Sequence, residues 1–546
     1  MSLSRDGASH SRGAQQVGGL FPSYPRSAGT APGLEEVGMA EQAREIAAGY
    51  ASDGAALELG AVVISGETDA EARVRLPLAT LNRHGLVAGA TGTGKTKTLQ
   101  LIAEQLSTAG VPVLMADIKG DLSGLSRPGE TSDKLAKRAT ELADDWQPTA
   151  CPVQFLSIGS GGLGVPVRAT ITGFGPILLS KVLGLNETQE STLGLIFHWA
   201  DTQGLALLDI KDLRSVIQHL TSDEGKADLS GIGGVSSSTA GVILRALVNL
   251  ESQGGDTFFG EPELDVADLM RQVDGRAVIN LLEVGDLQTK PALFSTFLMW
   301  LLAELFEHLP EEGDLDKPKL VFFFDEAHLL FDGASKAFVE RITQTVKLIR
   351  SKGVGVFFCT QLPTDLPNPV LSQLGARIQH ALRAFTPDDA KALAQTVKTY
   401  PRTPHYELGE ALTSLGIGEA IVTVLSERGA PTPVAWTRLR PPRSLMDTIG
   451  PEAIAQAARD SDLHGRYAET IDRESAYEKL TAKVSGAEQP SAEAEEPRQE
   501  PPAKAEPGLV EQVLGNSAVK SFLRSAASAL GREITRGMFG TARRRR

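Results

Sequence analysis

The residues Gly89-Ala90-Thr91-Gly92-Thr93-Gly94-Lys95-Thr96 fit the pattern G-x-x-x-x-G-K-[ST] at every position. That pattern is a phosphate cradle. Its glycines let backbone N–H groups approach anionic oxygens, its lysine reaches the outer phosphates, and its hydroxyl ligates Mg²⁺. Gly89, Ala90, Thr91, Gly92, Thr93, Gly94, Lys95, Thr96 and Lys97 are therefore expected to bind ATP. Within that set Lys95 would serve the β- and γ-phosphates and Thr96 the metal.

Hydrolysis also needs an acid that holds the metal and a group that activates water. The run Lys319-Leu320-Val321-Phe322-Phe323-Phe324-Asp325-Glu326 ends in two carboxylates behind five apolar residues. Asp325 is expected to hold Mg²⁺, and Glu326 to orient and deprotonate the attacking water. Asp325-Glu326-Ala327-His328 spells DEAH, the signature of superfamily-2 helicases. Their arginine motif Q-x-x-G-R-x-G-R does not occur in this chain, so His328 reads as a packing residue beside the acids. A further apolar run, 354–360, leads into Gln361, whose amide is placed to sense the γ-phosphate. Asp117-Ile118-Lys119-Gly120-Asp121 closes another run. Its charges suit waters around Mg²⁺, a polymer substrate or a solvated turn, and the sequence does not choose among them.

These groups must be positioned by strands and helices. Leu86-Val87-Ala88 precedes the glycine loop as a strand, and 98–106 follows it with helical spacing. Further strands are expected at 112–117, 153–158, 276–282, 320–325, 354–360, 377–383 and 419–425. Apolar runs alternating with helices predict an α/β fold whose mostly parallel sheet is covered on both faces. The carboxyl ends of such strands form one edge, where ligands bind. That edge would gather the glycine loop, both acids and Gln361.

The chain has 546 residues, of which 41% are hydrophobic and 22% charged, as in globular proteins. Residues 1–38 are rich in Gly, Ser and Pro and read as disordered. A short helix and strand element is expected over 39–80, followed by the ATPase core over 81–447. That core carries a helical insertion at about 177–270. A helical extension covers 448–483, and a Pro/Glu/Ala-rich linker covers 484–508. Over 509–546 an amphipathic basic helix and tail end the chain, with eight basic residues against two acidic ones. Two widely spaced cysteines and a polar N-terminus point to the cytosol, and no run is long enough to span a membrane. A net charge of −14 argues against a protein coated in nucleic acid, but leaves room for a local basic channel.

Several stretches together resemble bacterial HerA-like ATPases of the HerA/FtsK superfamily, in their helicase-like branch. They are Leu81-Asn82-Arg83-His84-Gly85-Leu86-Val87-Ala88-Gly89, Ala116-Asp117-Ile118-Lys119-Gly120-Asp121-Leu122-Ser123-Gly124 and Phe258-Phe259-Gly260-Glu261-Pro262. Leu348-Ile349-Arg350-Ser351-Lys352-Gly353-Val354-Gly355-Val356, Gln379-His380-Ala381-Leu382-Arg383-Ala384-Phe385-Thr386-Pro387 and Asp472-Arg473-Glu474-Ser475-Ala476-Tyr477 extend the likeness. The resemblance implies a RecA-like core, a hexameric ring and ATP hydrolysis at subunit interfaces, with double-stranded DNA as the track. It also implies an arginine supplied by the next subunit, for which Arg383, then Arg377, then Arg350 are the candidates. HerA proper places a β-barrel ahead of its phosphate loop and docks a nuclease there. The short stretch before Gly89 leaves no room for that barrel, so no such nuclease partner is expected. The competing reading is a regulatory or protein-remodelling ATPase that does not act on DNA.

Overall fold

The computed structural model describes residues 32–159, 162–229, 232–284, 291–313, 315–331 and 336–484. The linker from 485 onward, the C-terminal basic helix and residues 1–31 lie outside the described residues. The first helix, α1 (Pro32–Ala48), begins inside the segment read as disordered. Then come β1 (Ala56–Ile64), β2 (Glu67–Pro77), β3 (Gly85–Ala88), α2 (Lys95–Thr108), β4 (Val113–Asp117), α3 (Asp133–Glu141), β5 (Val153–Ile158) and β6 (Val165–Val167). The second half contributes β7 (Gln272–Val273), β8 (Arg276–Ala277), β9 (Ile279–Glu283), β10 (Leu320–Phe324), β11 (Val354–Thr360), β12 (Ala376–Gln379), β13 (Glu419–Thr423) and β14 (Ala435–Leu439).

Twelve of these strands form one sheet in the order β2-β1-β14-β13-β12-β3-β11-β10-β4-β9-β5-β6, and β7 and β8 make a separate hairpin. From β12 to β6 every neighbour is parallel. The flank from β12 through β13, β14, β1 and β2 is antiparallel. The sheet is thus mostly parallel, and its parallel half brings all its carboxyl ends to one edge.

The apolar runs explain that half. Every residue of β10 and β11 is buried. Phe323 meets Phe357 at 5.2 Å between ring centres, and Phe324 stacks on Phe358 at 5.6 Å. Each such ring contributes about 1.5–3 kcal/mol by leaving water. Helix α2 lays Leu99, Ile102, Ala103 and Leu106 against the sheet. The helical insertion lies between β6 and β7 and opens at Ile171, earlier than its apolar spacing suggested. It comprises α4 (Ile171–Val182), α5 (Glu187–Thr202), α6 (Ile210–Thr221), α7 (Asp223–Asp228) and α8 (Ser237–Leu250).

Two expected strands depart most from their sequence ranges. The run 276–282 divides into β8 and β9, because the Val278 N–H turns back to Arg271 O. The run 377–383 ends at Gln379. Beyond it the chain leaves the ladder: Ala381 O accepts from Ala90 N at 2.8 Å, and Leu382 N donates to Leu412 O. Among the described residues no helix is long and apolar enough to cross a membrane.

Candidate nucleotide site

The glycine loop leaves β3 through Gly89, whose φ of +151° is followed by +79° at Gly92 and +113° at Gly94. A Cβ on Gly89 would stand 2.5 Å from His380 Cβ, so close packing admits only glycine there. Three neighbouring segments hold the loop. Gly89 N donates to Thr360 O at 3.2 Å, Ala90 N to Ala381 O, and Gly418 N donates to Thr93 O at 3.0 Å. Lys95 opens α2. Its Nζ donates to Gly89 O at 2.8 Å and Ala90 O at 3.2 Å, which curls the ammonium over the loop. The first-turn N–H groups of a helix have no intrahelical acceptors and carry partial positive charge. Thr96 lies half-buried in that turn, and Lys97 bonds Gln100 Oε1 at 3.1 Å. Beneath the loop, Thr98 Oγ1 meets His380 Nε2 at 2.9 Å. Burial first, and the Lys95 charge second, push the His380 ring down to about 4, so it is a neutral prop.

Asp325 and Glu326 follow β10 and are only 6% and 7% exposed. Asp325 Oδ1 accepts from Glu326 N at 2.9 Å. Burial raises the Asp325 carboxyl, and a bond from the Cys359 thiol opposes that rise. Glu326 has φ +46°. That conformation is unusual for a side chain with a Cβ, and it persists where the surroundings enforce it. Lys119 Nζ donates to Glu326 Oε1. Glu326 Oε2 has no hydrogen-bond partner, and His328 Nδ1 stands 3.5 Å away from it. His328 thus lies beside the acids, with its side chain 34% exposed.

Asp117 organises the turn that carries Lys119. Its carboxylate accepts from Lys119 N at 3.2 Å, Gly120 N at 2.8 Å and Leu122 N at 2.9 Å. Burial, then the nearby Asp325 charge, pushes it up to about 6. Glu283 ends the adjacent strand β9. Burial and Asp117 push it up to about 7, and its Oε1 has no partner. Acids therefore stand at the ends of three adjacent strands, β10, β4 and β9.

This donor set fits a nucleotide with Mg²⁺. Among the described residues no three His, Cys, Asp or Glu side chains form a metal cage. Mg²⁺ suits that, because it takes one or two protein oxygens and completes its shell with phosphates and water. The buried Glu326 Oε2, without a hydrogen bond, is an open acceptor on the same edge as the glycine loop.

The other expected residues fall in different places. Gln361 directly follows β11, the strand between the loop strand β3 and the acid strand β10, and is exposed. Arg377 lies inside β12 and donates to Thr399 Oγ1 at 2.6 Å. Arg383 lies four residues past the strand end and is exposed. The expectation that these two bracket a strand is corrected by the early exit of the chain after Gln379. Arg350 occupies the turn entering β11, at the far edge of the sheet. Lys119 on Glu326, Cys359 on Asp325 and His380 under the loop were not assigned from sequence. Lys119 had a signal, a charge closing an apolar run. The other two had none, since strand order alone makes them neighbours.

A glycine cradle and a buried acid pair, on one edge of a parallel sheet with one strand between them, define a RecA-like P-loop ATPase. The chain belongs to the helicase HerA-like C-terminal family, whose model matches residues 63–546. It is 22% identical over 414 residues to the DNA double-strand break repair helicase HerA of Saccharolobus solfataricus, a match covering 74% of this chain and 71% of that one. Among solved structures, the bacterial conjugative coupling protein TrwBdeltaN70 aligns with TM-score 0.48 and 15% identity, over 74% of this chain and 94% of that one. VirB4 of Thermoanaerobacter pseudethanolicus aligns with TM-score 0.44 and 15% identity, over 71% and 97%.

Proposed function

We propose that this ATPase is Mg²⁺-dependent, assembles as a hexameric ring and moves along double-stranded DNA. The observation that carries the reading is Glu326: a buried carboxylate with one oxygen that makes no hydrogen bond, on the same sheet edge as a complete phosphate cradle. Lys95 would exchange the Gly89 and Ala90 carbonyls for phosphate oxygens. Thr96 and Asp325 would hold Mg²⁺, which when bound spreads the charge developing on the transferred phosphoryl group. Glu326 Oε2 would orient the attacking water and take its proton. Gln361, at the end of the intervening strand, would report the γ-phosphate. Arg383, exposed beyond β12, would serve the neighbouring subunit's site, with Arg377 as the second candidate. The name of the HerA relative supports DNA as the substrate. Two unpaired cysteines suit a reducing compartment, so the reading places the ring in the cytosol.

The test is turnover with and without linear duplex DNA, across a salt series. A translocase contacts phosphates without reading bases, so binding should fall steeply with salt and ignore sequence. If duplex neither binds at low salt nor raises turnover, the protein-remodelling reading replaces this one. Mixing Arg383→Ala with Glu326→Gln subunits tests the ring. Some activity should return, because one class of interface then carries both intact halves.

A further inference from the structure

We propose that Lys119 is a latch on the general base, opened when the phosphate backbone of the DNA track takes its ammonium. The proposal rests on reading Glu326 as the base and duplex DNA as the track. Its ground is the asymmetry of the Lys119–Glu326 pair. The Lys119 side chain is 46% exposed and the Glu326 side chain 9%. One partner can therefore be reached by a polymer outside, while the other stands at the reaction centre. The turn that presents Lys119 is itself rigid, since Asp117 accepts three of its N–H groups. The ammonium also lies in the field of Asp325 and Asp121, which favour its charge at this edge.

The pairing commits Glu326 Oε1 to an ammonium. The carboxylate is thereby anchored toward β4 in a backbone conformation of positive φ. A polymer phosphate offers the same ammonium an equivalent anion and gains counterion release as it binds. Lys119 can then swing outward, because among the described residues Glu326 is its hydrogen-bond partner and its side chain is 46% exposed. Glu326 becomes free to turn both oxygens toward water. The exposed Lys119 end of the pair is screened by solvent while the Glu326 end is buried, so opening the pair should have a modest effect. On this account hydrolysis is slow without the track and faster on it.

The experiment compares wild type, Lys119→Met, Lys119→Arg and Glu326→Gln in the full chain. Turnover is measured against ATP concentration with and without linear duplex, and duplex binding is measured over a salt series. Basal kcat of Lys119→Met should rise roughly two- to fivefold with KM for ATP unchanged. Stimulation by duplex should shrink toward none, and the salt slope of binding should drop by about one. Lys119→Arg should behave as wild type. An unchanged or lower basal kcat in Lys119→Met overturns the latch and makes Lys119 a brace for Glu326. An active Glu326→Gln instead overturns the base assignment. A wild type blind to duplex overturns only the choice of track, and the basal kcat of Lys119→Met still decides the latch.

Discussion

At the N-terminal edge of the sheet His84 is buried with both ring nitrogens bonded. Nε2 meets Val346 O at 2.7 Å, and Nδ1 accepts from Val356 N at 3.1 Å. At the C-terminal edge Glu326 is also buried, yet its Oε2 has no hydrogen bond, and neither has Glu283 Oε1. Both edges belong to the same strands, so burial alone does not make the difference. His84 is fully bonded although its neighbours Asn82 Oδ1 and Arg83 Nε are left open, and each buried polar group without a partner costs about 1–3 kcal/mol. What the carboxyl edge leaves open are carboxylate oxygens, acceptors of the kind a water or a cation can use. That edge carries the cost in the raised acids Asp117 and Glu283, whereas a positive φ occurs at both edges, +61° at His84 and +46° at Glu326.

The largest expected effects fall on activity at the C-terminal edge. Lys95→Ala and Glu326→Gln should each lower turnover by at least about 10²-fold, with little change in unfolding midpoint. They should differ in binding: Lys95→Ala weakens nucleotide affinity, while Glu326→Gln retains ATP and accumulates the bound state. Near-normal turnover in Glu326→Gln would remove it from the base role. Nucleotide-binding titrations beside steady-state kinetics separate the two cases.

The opposite pattern is expected at the other edge. His84→Ala orphans Val356 N and Val346 O and opens a cavity, so stability should fall by about 2–4 kcal/mol. Turnover per folded molecule should stay close to wild type. Denaturant unfolding with activity measured on the folded fraction checks this. A His84→Ala protein that is stable but inactive would dissolve the contrast between the edges.

A smaller effect comes from pH. Burial holds His84 at about 4, against 6.5 for the free ring, and His380 likewise. In that window the unfolded chain binds more protons, so these rings' contribution to stability is lost as pH falls from 6.5 toward 4. Between pH 6.5 and 5 the loss should be about 1.5 kcal/mol per ring. Asp117 and Glu283, whose carboxyls are raised to about 6 and 7, act with opposite sign. The clean observable is therefore the difference in acid sensitivity between wild type and His84→Gln, which should be the less sensitive. Equal sensitivity would mean that His84 is protonated in the fold.

Gln361→Ala should have the least effect, a fall in kcat under about tenfold with the fold intact, because its side chain is exposed and removal opens no cavity. No change at any ATP concentration would leave the amide outside the site.

Much of this was legible in one dimension. Glycine spacing, a lysine and a hydroxyl specify a phosphate loop by local geometry. Five apolar residues before two acids specify a buried strand with its chemistry at the end. The helix after the loop and the strand into Gln361 follow from period and composition. Each depends on neighbours in sequence, which is why the residues alone determined it.

What lay beyond the sequence depends on strand order. Placing β11 between β3 and β10 sets Cys359 against Asp325. Placing β4 beside β10 sets Lys119 on Glu326 and brings Asp117 and Glu283 into the same field. The exit of the chain after Gln379 puts His380 under the glycine loop and leaves Arg383 outside the strand. These contacts join residues between 34 and about 290 positions apart. No spacing rule encodes them, because they arise only when a parallel sheet has chosen which apolar run lies next to which. The residue types able to do chemistry were written in the motifs, and which of them meet was decided by the packing of the sheet.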